Sequence, residues 1–402
     1  MKHIINKVYE NNRFYRDKFK RYGVNLDKIN TIKDLKYLPL TTKEELREVY
    51  PLGLQAVADE DIVRIHSSSG TTGKPIIIPY TQKDVDIWAE MMCRCFISAG
   101  VTKLDRVHIT PGYGLWTAGI GFQAGTEKLG AMAVPMGPGN TDKQLQMMMD
   151  LHSTILIGTS SYALVLAEEI QKRNMKEKIS LRKGIFGSER WGQKMRERIT
   201  KEMGIEVFDI YGLTEIYGPG IAIDCELHEG MHYWNDHLVF EIIDPITEEP
   251  LPEGDVGELV ITTLTKEGAP LIRYRTRDLT RLIPGECKCG SPYPRIDRII
   301  GRTDDMVKVK GVNIYPGQID DILSKISGVS SEYNIVIEHK EGKDIMTLKV
   351  EVNGTSNNHD IEKLVVDNFK KAIGIQIKVV TTNIGELPRS EKKTKRIYDY
   401  RD

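Results

Sequence analysis

The spacing of apolar residues changes character along these 402 residues. In the first part, Val85, Trp88, Met92, Phe96 and Ala99 recur at helical intervals, and the pattern predicts a helix over 84–99. Short apolar runs such as ILIG (155–158) alternate with helical stretches such as YALVLAEEIQK (162–172). A charged helix opens the chain, and IVRIH (62–66) and IIIPY (76–80) read as strands entering and leaving a polar loop. From about residue 237 closely spaced strands take over, in HLVFEII, GELVITTL and DLTRLI, separated by Pro, Gly and acidic turns. Beyond Gly301 the order is a hairpin (306–312), a helix (316–326), strands at 333–338 and 345–352, a helix (360–372) and a strand (375–380). That order is the split βαβ pattern of a small α+β domain. The expected fold class is α/β, with a large N-terminal domain of layered α/β sheets over 1–303, a β-rich subdomain at about 237–300 within it, and a small α+β C-terminal domain over 304–402.

Length supports more than one domain, since single cores stop growing below this size. Hydrophobic content of 40%, charged content of 28% and a net charge of −1 describe a globular chain without the basic field that nucleic acid requires. Nowhere do eighteen apolar residues run together, and the N-terminus is charged, so neither a membrane span nor a secretory leader is expected. The expected setting is cytoplasmic, with small-molecule partners, no nucleic acid and no membrane; a homodimer stays open. Five cysteines in so long a chain make no disulfide framework. Cys93 and Cys95 fall within the predicted helix, where core packing is expected. Cys287 and Cys289 flank Lys288, and with Cys225 and His232 upstream they make a three-thiolate, one-imidazole set suited to tetrahedral zinc, the alternative being buried thiols without a metal.

The polar loop reads SSSGTTGKP (67–75). Its hydroxyls and unhindered Gly amides donate to anionic oxygens and its lysine adds positive charge, so phosphate is the natural guest. The phosphate loop of NTPases needs four residues between its glycines; only two separate Gly70 from Gly73. Ser/Thr/Gly clusters are also common surface turns, so the loop alone does not decide.

Further segments do. GYGLWTAGIG (112–121), GSER (187–190), DIYGLTE (209–215), PLIRYRTRDLT (270–280), GRTDDMVKVKGVNIYP (301–316) and LPRSEKKTKR (387–396) follow the loop in a fixed order. Together they resemble the adenylate-forming superfamily of acyl-CoA ligases and, more narrowly, the phenylacetate-CoA ligase family, and the likeness runs almost the length of the chain. The resemblance implies a carboxylate attacking the α-phosphorus of ATP, release of pyrophosphate, and transfer of the acyl group to coenzyme A with release of AMP. It makes Ser68, Ser69, Gly70, Thr71, Thr72, Gly73 and Lys74 a clamp on the outer phosphates. It places Gly187, Ser188, Glu189, Asp209, Tyr211 and Gly212 about the nucleotide, with the Tyr211 ring available to stack on adenine. Thr214 takes the α-phosphate and Glu215 a magnesium ion, Mg²⁺ preferring oxygen ligands.

By the same resemblance Asp278 accepts from the ribose diol, Arg302 contacts ribose or phosphate, and Asp304 is the hinge of a mobile C-terminal domain. Gly311 lines the pantetheine tunnel, and Lys393 bridges carboxylate and α-phosphate, with Lys392 standing where the family pattern has glycine. Tyr113 and Trp116 wall an aryl pocket in which Gly114, Ala118 and Gly119 leave room. Relatives share the Cys225, His232, Cys287 and Cys289 positions, which favours structural zinc. Transfer to an amine or a carrier protein is the rival outcome. A non-catalytic nucleotide-binding regulator is a third, against which Glu215, Asp278 and Lys393 all speak.

Overall fold

The structure is a computed structural model that describes residues 2–68, 74–340, 343–354, 358–390 and 394–401. Strands apolar on both faces need cover on both sides. Arg106–Ile109, Met132–Pro135, Ile155–Thr159, Lys183–Gly187 and Glu206–Leu213 therefore lie parallel in one half of a nine-stranded sheet, linked by crossover helices. The chain runs from Arg106–Ile109 outward to the edge strand Met132–Pro135, then back past it to Ile155–Thr159, so the strand order reverses at Arg106–Ile109. Beyond Glu206–Leu213 the sheet turns antiparallel through Gly218–Asp224 and Met231–Tyr233.

The helix predicted over 84–99 spans Gln82–Ser98 and starts at a reciprocal cap between Thr81 and Asp84. Trp88, Met91, Met92, Cys95 and Phe96 form its buried face, and Cys93 is buried as well. Against it packs the helix Ala118–Leu129, whose Gly121 and Gly125 admit Trp88 and Met92; a Cβ there would come within 2.3 and 2.2 Å of those side chains. Instead of one N-terminal helix there are two, Lys2–Asn11 and Arg13–Arg21, divided at Asn12, whose side chain accepts from the Tyr15 amide and caps the second.

The stretch read as β-rich divides between two sheets. Leu238–Ile243, Gly257–Thr263, Tyr274–Thr280 and Gly301–Arg302 make a four-stranded antiparallel sheet. DLTRLI breaks at Arg281, and Leu282–Ile283 pairs with Arg295–Ile296 on the margin of the nine-stranded sheet. The C-terminal part has its own core, with Ile319, Leu323, Ile335, Leu348, Val350, Val365 and Phe369 at its centre. Its hairpin, Val307–Val309 with Val312–Ile314, stands apart as a two-stranded sheet. The C-terminal part has a four-stranded sheet of its own, in the order Lys378–Asn383, Lys343–Val352, Val329–Lys340 and Ile397–Asp399, the last lying parallel to Val329–Lys340. Ile397–Asp399 is too short and too close to a basic run for its alternation to be read from sequence. Among the described residues no helix is long and apolar enough to cross a membrane.

Candidate active site

In an open parallel sheet, ligands sit beyond the carboxyl ends of the strands near the point where strand order reverses. GYGLWTAGIG and GSER follow, and DIYGLTE ends, the parallel strands Arg106–Ile109, Lys183–Gly187 and Glu206–Leu213 on that side of the sheet. Lys183–Gly187 ends in a glycine because a Cβ at 187 would stand 2.2 Å from the Ile210 carbonyl of the next strand. Ser188 follows with φ +69°, a left-handed conformation that is uncommon outside glycine and concentrated at functional sites. The turn sends Glu189 back to the preceding helix, Ser160–Lys172. Its Oε1 accepts from the Ser161 amide at 2.7 Å and the Ser160 hydroxyl at 3.1 Å, and its Oε2 from the Thr394 amide at 3.0 Å.

On Glu206–Leu213, Tyr211 is buried and its hydroxyl donates to Asp278 Oδ2 at 2.5 Å. Asp278 pairs in register with Arg302, whose Nη1 donates to the other carboxylate oxygen at 2.9 Å. Arg302 also forks onto Asp304 through Nε and Nη2, at 2.8 and 2.9 Å. The ribose, hinge and adenine candidates are therefore one connected network. Burial lifts the Asp278 acid to about 6, with Arg302 and Tyr211 pulling it back. Burial also lowers Arg302, but Asp304 and Asp278 outweigh it and hold the guanidinium above its ordinary range. Asp209 points elsewhere, toward Arg196 and Asp224; burial and then the Asp224 charge push its acid up to about 7. Gly212 crosses the neighbouring strand so closely that a Cβ would meet the Gly218 carbonyl at 2.1 Å.

The Thr214 hydroxyl lies 3.4 Å from that of Thr117, and buried Glu215 pairs with Lys43, Nζ to Oε1 being 3.1 Å. Lys43 was not anticipated. It opens a short helix behind the Thr42 and Glu45 cap, so its sequence context reads only as a helix start. Nor was Lys266, fully buried between the rings of Tyr80 and Tyr217, where it donates to the Ile216 carbonyl just after Glu215. Burial brings its ammonium down to about 7.

Of the polar loop, Ser68 and Lys74 are described. The Ser68 hydroxyl accepts from the Ile76 amide at 3.0 Å, tying the base of the loop, and Lys74 Nζ stands 5.5 Å from the Tyr50 ring centroid. Ser69, Gly70, Thr71, Thr72, Gly73 and Lys393 lie outside the described residues. Trp116 is 48% exposed, whereas Tyr113 is half-buried with its ring against Gly119, where a Cβ would come within 2.8 Å. Gly119 thus makes room for Tyr113. Gly311 follows Lys310 in a two-residue hairpin turn with φ of +82° and +51°, and nothing lies within 4 Å of where its Cβ would be. The turn geometry by itself demands glycine at that position.

Ligand atoms of Cys225, His232, Cys287 and Cys289 all lie within 4.8 Å of one another. The Cys225 and Cys287 sulfurs are 3.8 Å apart, and Cys289 Sγ is 3.3 Å from His232 Nε2. His232 Nδ1 is bonded to the Tyr293 carbonyl at 2.6 Å, which leaves Nε2 as the lone-pair nitrogen facing the thiols. Tetrahedral zinc with bonds of about 2.3 Å to sulfur spaces its thiolates roughly 3.8 Å apart, so the donor set fits that ion.

Comparison with known proteins finds relatives along almost the whole chain. The AMP-binding enzyme family matches residues 20–265, and the AMP-binding enzyme C-terminal domain matches 311–401. The chain is 43% identical to phenylacetate-coenzyme A ligase of Pseudomonas putida, over 99% of this chain and 92% of that protein. It is 42% identical to phenylacetate-coenzyme A ligase of Escherichia coli (strain K12), over 100% and 93%. Among solved structures, 2-hydroxyisobutyryl-CoA ligase in the postadenylation state superposes with a TM-score of 0.89 at 27% identity, covering 99% of this chain and 87% of that one. The same ligase in the thioesterification state gives 0.72, covering 100% and 88%.

Proposed function

Because this chain belongs to the phenylacetate-coenzyme A ligase family of AMP-binding enzymes, it is an ATP-dependent, AMP-forming acid–thiol ligase, and we propose that phenylacetate or a close arylacetate is its acid. The observation that carries this is identity of 39% to 43% with four curated phenylacetate-coenzyme A ligases, each matched over almost the whole chain. The reaction runs through an acyl-adenylate, and catalysis of such a step is largely positioning and charge stabilisation.

Roles for individual residues follow as proposals. Asp278, held between Tyr211 and Arg302, presents the remaining lone pairs of its carboxylate to the ribose diol. Thr214 and Thr117 offer paired hydroxyls to the α-phosphate. Glu215 suits magnesium, since its buried carboxylate already holds a cation, the Lys43 ammonium. Magnesium, when bound, neutralises charge on the phosphates. Ser68 to Lys74 clamp those phosphates, Lys393 stabilises charge between carboxylate and α-phosphate, and Tyr113 with Trp116 faces the aryl group. Cys225, His232, Cys287 and Cys289 hold a structural zinc. The boundary falls at Thr303 and Asp304, with Asp304 the pivot. A cytoplasmic setting suits an enzyme that consumes ATP and coenzyme A.

The orientation described here is proposed to be the adenylating one. It scores 0.89 against the neighbour in its postadenylation state and 0.72 against the same neighbour in thioesterification, at equal identity. An acid-panel assay of AMP and pyrophosphate release, with and without coenzyme A, tests the assignment. Phenylacetate should turn over faster than acetate or a long fatty acid, with AMP release dependent on coenzyme A. Preference for a fatty acid removes the aryl assignment, and release to an amine in place of coenzyme A removes the thiol acceptor.

A further inference from the structure

We propose that Glu168 and Glu189 of the large domain form a cradle that grips the C-terminal segment on both sides of Lys393, making them positioning residues for adenylation. The proposal rests on the reading of Lys393 as the adenylating lysine. Both carboxylates converge on one element, the helix Ser160–Lys172. At its first turn the Ser161 hydroxyl meets that of Thr394 at 2.5 Å, and Glu189 ties the amides of Ser161 and Thr394 together through its two oxygens. Two turns further on, Glu168 receives Arg389 through Nε and Nη2, at 2.8 to 3.1 Å. Ser160 and Glu168 are eight residues, roughly 12 Å, apart along the helix, within the reach of the five-residue step from Arg389 to Thr394. The lysine thus lies in sequence between two anchors fixed on the large domain.

The pairing also has the asymmetry that a reversible grip needs. The far edge of Arg389 is bonded to Glu351 at 2.8 and 2.9 Å, and fully buried Glu351 accepts in addition from the Gly385 and Leu387 amides at 3.0 Å. Arg389 is therefore part of the small domain's body and travels with it, so rotation breaks only its bonds to Glu168. Glu168 is not stranded when they break, because Arg198 on the helix Gln193–Met203 stays bonded to it at 2.6 Å. Both oxygens of Glu189 are occupied by the helix and the tail, so its side chain serves the lysine segment while the nucleotide meets the turn before it.

The test separates the half-reactions in the full chain, by acid-dependent pyrophosphate release and by thioester formation from supplied acyl-adenylate. Glu189→Gln and Glu168→Gln should each slow the first about 10- to 100-fold, the scale of one hydrogen bond to a charged group. Thioester formation and the KM for ATP should stay within about twofold. Thr394→Pro removes the amide that Glu189 accepts from and should reproduce Glu189→Gln from the tail side. Equal loss of both half-reactions, a raised KM for ATP at unchanged kcat, or no loss in any variant overturns the cradle. Lys393→Ala distinguishes the two levels. If it destroys adenylation while the three cradle variants do not, the cradle alone is wrong; if it leaves adenylation intact, the reading beneath is wrong and the cradle falls with it.

Discussion

Two buried polar clusters, Tyr211–Asp278–Arg302 and Cys225–His232–Cys287–Cys289, each knit strands distant in sequence, yet they are built for different ends. The thiol–imidazole cluster closes on itself: its ligand atoms face one another, and its histidine is fixed from behind by a backbone carbonyl. The Asp278 cluster is open-ended. It runs through Arg302 to Asp304 at the proposed pivot, with left-handed Arg277 beside it on the strand. A closed set of donors stabilises one arrangement, whereas a chain of charges ending at a junction responds when the junction turns. Interdomain contacts add to the second kind: Arg190 reaches Asp320 and the Gly317 carbonyl, and Lys194 takes the Ile326 and Val329 carbonyls at 2.5 and 2.6 Å.

The largest expected effect leaves both clusters untouched and removes the proposed adenylating lysine. Lys393→Ala should lose adenylation by about two to three orders of magnitude, the scale for deleting one preorganised charge-stabilising donor. Thioester formation from supplied acyl-adenylate should survive, and the melting temperature should hold. Lys392→Gly, which restores the family residue, should change either half-reaction little. If Lys392 proves essential and Lys393 dispensable, the register of the tail is shifted by one.

Next in size is the closed cluster, where stability and not catalysis should respond. Purified protein should carry about one zinc per chain, and Cys289→Ser should lower both that content and the melting temperature, by about 8 °C. Asp304→Pro reverses the pattern: fixed φ at the junction should spare adenylation and depress thioester formation, with zinc unchanged. Fully active protein without zinc would dissolve the contrast between the clusters.

The sequence made some of this legible and hid the rest for physical reasons. Periodicity located the helix Gln82–Ser98, and a continuous apolar run located the strand Ile155–Thr159, which is buried along nearly its whole length. It missed Ile397–Asp399, which pairs across more than fifty residues, and it merged Tyr274–Thr280 with Leu282–Ile283, because a strand that switches sheets keeps its apolar texture. Motifs named Asp278, Arg302 and Asp304 one at a time; only pairing in space shows them as a single network. Glu168, Arg389 and Lys43 were invisible for a different reason. Charged residues on helices and tails read as solvated faces until the structure brings their partners from far along the chain. Trp116, named for an aryl wall, is half-exposed, and its partner Tyr113 claims the space that Gly119 leaves.

The smallest effect probes how the open cluster carries a buried charge. The Asp278 acid stands at about 6 in the folded chain against an ordinary 3.8, mainly because of burial. Between those values the native state binds a proton that the unfolded chain has released, so stability from this group is present below about pH 4 and declines as pH rises toward 6. Replacing Asp278 by Asn removes the titration and keeps the shape. The stability difference between parent and variant, from urea unfolding at pH 4 and pH 6.5, should therefore shift toward the variant by on the order of 2 kcal/mol at the higher pH. ATP affinity should move the opposite way, because the ionised carboxylate is the better acceptor for two hydroxyls. Binding to the parent should strengthen from pH 5 to 7 and stay flat in the variant. A stability difference that ignores pH would mean Arg302 and Tyr211 keep Asp278 ionised throughout, and the open cluster would then be as fixed in charge as the closed one.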